Sequence, residues 1–132
     1  SIEKVLFYYV KMYFPDAVPN YRSSELNIGH HELDIWIPSL RTGVEYDGQY
    51  WHQDVARDAT KDNACANNGI RLIRVRESNC PEYETSSIVI HRKTSTTESL
   101  EEAICETLRV LGYHGDIDMD VNRDRIEILA ES

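Results

Sequence analysis

The segment that decides the fold is residues 32–47, ELDIWIPSLRTGVEYD. Within it, apolar side chains recur at every second position of two runs, residues 33–37 and 43–47. This alternation predicts two β-strands, and the turn-forming sequence PSLRTG predicts that they pair as an antiparallel hairpin. One face of the hairpin is apolar, and the other carries three acidic residues, Asp34, Glu45 and Asp47.

Three carboxylates on one strand face repel one another and raise one another's pKa. A divalent cation removes that cost, and hard oxygen ligands suit Mg²⁺ or Mn²⁺. Such a cation activates water and stabilises charge on phosphate oxygens, as phosphodiester hydrolysis requires. The hairpin therefore predicts a metal-dependent hydrolytic site with Asp34, Glu45 and Asp47 as candidate ligands.

Two further polar residues fit this site. His52 lies just past the strand that ends at Asp47, where an imidazole serves as a general acid or base near neutral pH. Glu3 shares a helical stripe with apolar residues, so we expect its carboxylate to point inward. His30 and His31 precede the first strand of the hairpin, and we interpret both as structural.

The remaining pattern predicts further helices and strands, with capping residues or a proline at the helix ends. In addition to the hairpin, the predicted elements are a helix over 2–14, a short strand near Tyr21, a helix over 54–68 closed by Gly69, strands over 70–75 and 86–91, and a helix from a Ser95–Glu98 capping box to Gly112. This order predicts an α/β (α+β) domain with a mixed central sheet flanked by helices.

Length and composition are those of one globular domain. The 132 residues are 41% hydrophobic, which is enough for one core and too short for two ordinary domains. We expect a catalytic domain over 1–115 and an acidic C-terminal extension or linker over 116–132. No stretch reaches the roughly 18–20 apolar residues of a membrane span, and we expect a cytoplasmic protein with no membrane role, in a bacterial or phage-infected cell. The three cysteines are expected to be reduced.

The net charge of −9 counts against nucleic-acid binding, which depends on neutralising phosphates with Lys and Arg. Residues 41–76, which hold most of the predicted site, are the exception, because six basic residues there outnumber five acidic ones. We therefore expect weak intrinsic affinity for DNA, supplemented by an additional DNA-binding domain or by homodimer formation.

Four short motifs occur in a characteristic order. They are Ile2-Glu3-Lys4, the run GVEYDGQYWH over 43–52, Arg57-Asp58, and GIRLIRVR over 69–76. This order resembles the very-short-patch-repair endonucleases and their relatives among phage homing endonucleases, a branch of the PD-(D/E)XK superfamily. The similarity runs from about Ser1 to Glu77, over half of the chain.

The resemblance implies a restriction-endonuclease-like fold and a metal-dependent endonuclease acting on double-stranded DNA, with Mg²⁺ or Mn²⁺ as its cofactor. It implies that the catalytic residues are Glu3, Asp34, Asp47, His52 and Asp58, with the carbonyl of Tyr46 as an additional metal ligand. The candidate contacts to DNA are Arg57, Lys61, Arg74 and Arg76.

Two departures from the family pattern refine this expectation. The superfamily's catalytic lysine would stand two residues after Glu45, where this chain has Asp47. Either Asp47 acts as a ligand or base, which we favour, or Lys61 reaches in from the following helix. The chain also lacks the spaced Cys and His ligands of the repair enzymes' structural zinc, so a homing or restriction role is favoured over mismatch repair.

Two alternatives stay open. Oxygen-bearing residues over 116–127 stand at the ligand positions of an EF-hand loop, but position 6, which needs Gly, is Val121. The main interpretation of this run is a solvated acidic tail. The other alternative is a catalytically inactive member of the same fold that binds a protein partner, in keeping with the negative charge. The DNA target, and nicking versus double-strand cleavage, are not predicted.

Overall fold

The computed structural model describes residues 1–132 and contains a five-stranded mixed sheet with four α-helices. The elements in chain order are α1 (Ile2–Tyr13), β1 (Val18–Tyr21), β2 (Leu33–Ile37), β3 (Thr42–Asp47), α2 (Val55–Asn67), β4 (Arg71–Glu77), β5 (Ile88–Arg92), α3 (Thr97–Leu111) and α4 (Met119–Glu131). Short 3₁₀ turns occupy Ser24–Leu26 and Pro38–Leu40. The predicted class, a mixed sheet flanked by helices, is confirmed.

The strands lie in the order β1-β2-β3-β4-β5. The first three pair antiparallel, and β3, β4 and β5 pair parallel. The predicted hairpin is confirmed, with Ile35 opposite Val44. Because β3 and β4 are parallel, α2 has to cross the sheet between them, and this crossover brings a helix over the acidic face of the hairpin.

Hydrophobic residues form two cores. The larger lies between the sheet and the helices α1, α3 and α4, and includes Ile35, Val44, Ile73 and Ile104. The smaller includes Trp36 and residues from α2 and the β1–β2 connection. The sheet is therefore covered on both faces, and the predicted polar face of the hairpin is buried under α2.

Helix ends follow the sequence closely, with one shift. Asp54 caps α2 by accepting hydrogen bonds from the amides of Ala56 and Arg57, and Gly69 follows the helix with a φ of +67°. The N-cap expected at Ser95 lies one residue later, because the Thr96 hydroxyl accepts from the Ser99 amide (3.1 Å), and the predicted Ser95–Glu98 capping box is not formed.

The solvated-tail interpretation of residues 116–132 is wrong from Met119 onward. This stretch forms α4, which is capped by Asp118 and packs on α1. Ile126 and Ala130 are buried, and Ile126 belongs to the larger core. An EF-hand loop is not formed either, because residues 119–127 are helical.

None of the helices has the length and apolar character needed to cross a membrane. Cys65 and Cys80 are buried and unpaired, and Cys105 is half-buried and also free, in agreement with the expectation of reduced cysteines.

The packing of α4 predicts different effects for two isoleucines on the same helix. Ile126→Ala should lower the free energy of unfolding by about 2–4 kcal/mol, because it leaves a cavity in the main core. Ile128 is 68% exposed, so Ile128→Ala should change it by less than about 0.5 kcal/mol. Urea denaturation followed by circular dichroism measures both, and equal effects would contradict the docking of α4.

Candidate active site

The site lies where β2 and β3 separate. Their ladder ends at the Ile35–Val44 pair, and beyond it the carboxylates of Asp34 and Glu45 accept hydrogen bonds from backbone amides of the facing strand. The Asp34 amide donates to Glu45 Oε2 (2.7 Å), and the Tyr46 amide donates to Asp34 Oδ2 (3.0 Å). The carboxylates thus satisfy backbone amides that the ladder no longer pairs, and two of the three predicted acidic residues converge.

The convergence of Asp34 and Glu45 is electrostatically unfavourable. Burial raises the pKa of Asp34, and the nearby charge of Glu3 raises it further. Burial also raises the pKa of Glu45, with Asp34 as the second cause. The Tyr46 amide stabilises the negative charge of Asp34 at Oδ2 only, because Oδ1 accepts no hydrogen bond within the protein. That oxygen is available to a cation.

Lys61 provides a positive charge at this site from α2. Its ammonium donates to Glu45 Oε1 and to the carbonyl of Glu32. Lys61 is therefore engaged with one carboxylate and one backbone carbonyl and is not a free phosphate contact. Of the two alternatives for the superfamily lysine, the geometry favours the one in which Lys61 reaches in from the helix.

Asp47, by contrast, lies in a buried ion-pair network. Its Oδ1 accepts from Arg74 (2.9 Å) and its Oδ2 from Arg76 (2.8 Å). Potential ligand atoms of Asp47, His52 and Asp58 lie within 4.8 Å of one another, but two guanidinium groups already bind these oxygens. A metal ion here would have to displace an arginine, so the geometry argues against Asp47 as a ligand.

The burial of Arg74 and Arg76 argues against the expectation that they contact DNA. Their exposed fractions are 0% and 3%, and no solvent-exposed phosphate can reach them. Arg74 also binds Asp62 (2.8 Å), and Arg76 also binds Asp58 (3.0 Å). The two arginines therefore attach α2 to the sheet.

Sequence reasoning missed Asp62 and its partners. Asp62 Oδ1 accepts from Arg74, while its Oδ2 accepts from the hydroxyls of Tyr83 and Thr85 in the β4–β5 connection. A signal was present, because Asp58 and Asp62 lie one helical turn apart on α2 and face strand arginines at alternate positions. The spacing of four residues between the helix aspartates matches the spacing of two between the strand arginines, and this match would have identified the network.

His52 is held by Asp58, and both are catalytic residues implied by the resemblance. Its Nδ1 lies 2.9 Å from Asp58 Oδ1. Burial alone would raise the pKa of Asp58, but hydrogen bonds from His52 and Arg76 hold it at about 2. Because an ionised carboxylate only accepts, Nδ1 carries the proton and Nε2 is left for a substrate.

The pKa of His52 is raised above that of a free imidazole. Burial lowers its pKa, but the hydrogen bond to Asp58 and the charge of Asp47 outweigh burial. His52 therefore retains a proton to a higher pH than a free imidazole does.

These groups line one open cleft of about 400 Å³. It contains the predicted residues Asp34, Glu45, His52, Arg57, Asp58 and Lys61. It also contains Arg22, His30 and His31, so the two histidines lie beside the predicted residues.

Glu3 and Tyr46 lie beside the cleft. Glu3 lines a neighbouring cavity with Asp34, and burial, followed by the charge of Glu45, raises its pKa. Glu3 thus lies close to the acidic pair, in keeping with the expected inward orientation of its carboxylate. The Tyr46 hydroxyl donates to Glu77 on β4, and the Tyr46 amide donates to Asp34 Oδ2. A role for the Tyr46 carbonyl as a metal ligand stays a prediction.

No protein-family model, curated protein or solved structure shows a significant match to this chain. The resemblance to the very-short-patch-repair and homing endonucleases therefore stays a prediction from motifs. The chemistry of the site has to be argued from its geometry.

The raised pKa of Asp34 predicts how stability depends on pH. A carboxyl group whose pKa is higher in the folded than in the unfolded state stabilises the fold when protonated, and that contribution is lost as the pH rises above about 4. Asp34→Asn removes the charge and keeps an acceptor for the Tyr46 amide. In EDTA it should raise the free energy of unfolding by about 1–2 kcal/mol at about pH 8, and have little effect at about pH 4.

Asp124→Asn is the matched control for that measurement, because Asp124 is exposed on α4 and is not involved in the site. Urea titrations at the two pH values measure the difference. A destabilised Asp34→Asn protein at the higher pH would contradict the proposed strain.

The His52–Asp58 pair predicts a change in titration. Asp58→Asn should lower the pKa of His52, because it removes the negative charge that favours the imidazolium. NMR titration of the imidazole protons measures the shift. Asp54→Asn is the control, since asparagine also caps helices well and Asp54 makes no contact with His52. An unchanged pKa in Asp58→Asn would show that the pair does not set the charge of His52.

Proposed function

We propose that this chain is the catalytic domain of a metal-dependent DNA endonuclease of the PD-(D/E)XK type. The observation that carries the proposal is the convergence of Asp34 and Glu45 at the separation of β2 and β3, with Lys61 bound to Glu45 and the whole group open to a cleft. Two carboxylates and a lysine in one cleft are suited to hydrolysis of a phosphodiester.

The donor atoms fit Mg²⁺ or Mn²⁺. Asp34 Oδ1 is an unpartnered carboxylate oxygen in a place where negative charge is costly, and hard oxygen ligands of this kind favour such cations. The carbonyl of Tyr46 would be a second ligand, and Glu45 would hold Asp34 in place by accepting from its amide. When bound, the cation supplies charge stabilisation to the phosphate oxygens and lowers the pKa of water.

The chain's own residues account for the proton transfers. In hydrolysis a water oxygen bonds to phosphorus and the bond from phosphorus to a sugar oxygen breaks. Neutral His52 can accept the water proton at Nε2, and protonated His52 can donate one to the leaving oxygen. Asp58 holds the ring in place for either transfer, and Lys61 compensates the charge of Glu45.

Two residues of the cleft favour a nucleic acid as the substrate over a small phosphodiester. Arg57 is exposed and is free to contact a phosphate. Trp51 is 87% exposed at the cleft, where its ring is available to stack on a base. We propose a homing endonuclease acting in the cytoplasm of a bacterial or phage-infected cell, with a further DNA-binding domain or a second copy adding affinity. Mismatch repair and restriction nicking are the alternatives within this class.

A second candidate function is a catalytically inactive domain that binds a protein. One observation favours it, because the Lys61 ammonium already neutralises Glu45 without any metal. Thermal denaturation with increasing Mn²⁺ separates the two candidates. Stabilisation that is lost in Asp34→Asn supports the enzyme, and an unchanged melting temperature in the intact protein supports the inactive domain.

The decisive experiment is plasmid cleavage in Mg²⁺ or Mn²⁺, with EDTA as the metal-free control. Asp34→Asn, Lys61→Met and His52→Ala should each reduce the rate at least about 100-fold, because each removes a cation ligand, a compensating charge or a proton-transfer group. Lys93→Met is the matched control for Lys61→Met, since Lys93 is exposed and lies outside the cleft. Failure of the intact protein to cleave any DNA, alone or fused to a DNA-binding domain, would refute the proposal.

A further inference from the structure

Most arginines of this chain have partners within the protein. Arg41, Arg71 and Arg109 donate to carbonyls, and others form the ion pairs of the sheet and of α4. Three exposed arginines have neither a hydrogen bond nor an ion pair through their side chains, namely Arg22, Arg57 and Arg125. Two of these three, Arg22 and Arg57, line the cleft. In a chain with a net charge of −9, unpaired cations beside a cleft indicate an anionic ligand.

Arg22 belongs to the β1–β2 connection, residues 22–32, which we call the loop wall. His30 and His31, from the same segment, also line the cleft, and neither imidazole has a hydrogen-bond partner in the protein. Gly29 adopts a φ of +66°, which favours glycine, and the His31 amide donates to the Ile28 carbonyl. This turn carries the two histidines to the cleft.

The loop wall is anchored to the fold at several points. Leu26 and Ile28 are buried in the smaller core. The Asn27 side chain donates to Asn68 at the end of α2 (3.1 Å), and Lys61 donates to the carbonyl of Glu32. Because the backbone is held in this way, little conformational freedom would be lost when a ligand binds.

We propose that the loop wall is a DNA-backbone contact surface, in which Arg22 binds a phosphate that flanks the scissile one and His30 and His31 line the same path. The inference rests on the proposed function, and it names the residues that hold the substrate of that site. Arg57, on α2, contacts the strand from a second element.

The charges of the cleft support this assignment. Lys61 pairs with Glu45, and Arg76 pairs with Asp58, so these charges largely compensate one another. The remaining charged residues of the cleft are two cations, Arg22 and Arg57, and two anions, Glu32 and Asp34, so the metal-free cleft is close to neutral. A divalent cation at Asp34 would leave the cleft positive, so DNA binding should be stronger in Ca²⁺ than in EDTA.

Fluorescence anisotropy with a labelled duplex of mixed sequence, in EDTA and in Ca²⁺, tests the assignment without requiring cleavage. Arg22→Ala should raise Kd about tenfold, as expected for loss of a charged hydrogen bond. It should also lower the slope of log K against log salt by about one. Arg22→Lys should recover most of the salt slope, since a phosphate contact needs mainly the positive charge.

Arg125→Ala is the matched control, because it removes an equally exposed and unpaired arginine from α4, outside the cleft. Equal Kd values for Arg22→Ala and the unaltered protein, equal losses in Arg22→Ala and Arg125→Ala, or no duplex binding at all would overturn the inference. If the unaltered protein cleaves DNA and Arg22→Ala binds the duplex normally, the DNA-contact role of the loop wall is refuted and the nuclease proposal stands. If duplex binding depends on Arg22 but the protein never cleaves DNA, the nuclease proposal is refuted and the DNA-contact role of the loop wall stands.

Discussion

The separation of β2 from β3 beyond Ile35 and Val44 is the constraint on which the site depends. Antiparallel strands exchange backbone hydrogen bonds at alternate pairs along the ladder. Beyond Ile35 and Val44, the carboxylates of Glu45 and Asp34 instead accept from the amides of Asp34 and Tyr46. The carboxylates are therefore part of the sheet's own hydrogen bonding, and they cannot turn away from each other without leaving amides unpaired. Their mutual repulsion is built into the backbone.

The position of α2 depends on a second interaction, the ion pairs between helix aspartates and strand arginines. Arg74 and Arg76 bind Asp58 and Asp62 on the helix and Asp47 on β3, in a buried network where nearly every charge has an opposite neighbour. Removing one partner from such a network leaves an uncompensated buried charge, so the members depend on one another. This network places Lys61 and the partner of His52 at the cleft.

Some of this arrangement was predictable from the sequence and some was not. Strand alternation gave the hairpin and the shared face of Asp34 and Glu45, because period-two patterns determine which side chains are neighbours. It did not reveal that Asp47 on the same face binds arginines, since alternation assigns a face and not a partner. Helix α4 was missed because only Ile126 and Ala130 of its residues are buried, so its acidic composition dominated the pattern. The cleft histidines lie in a connection, where periodicity carries no information.

The location of Lys61 on a helix means that the candidate site is built from two parts of the fold, the sheet and α2. Asp34 and Glu45 belong to adjacent strands in the middle of the sheet, which is among the last parts of such a fold to open. Lys61 and Asp58 belong to α2, an element outside the sheet that is joined to it by the ion pairs of Arg74 and Arg76. Local opening that separates this helix from the sheet need not break the strands. A partly opened molecule would thus keep its acidic pair while losing both the compensating ammonium and the orientation of His52. The proposed activity should therefore be lost on heating before the sheet itself unfolds.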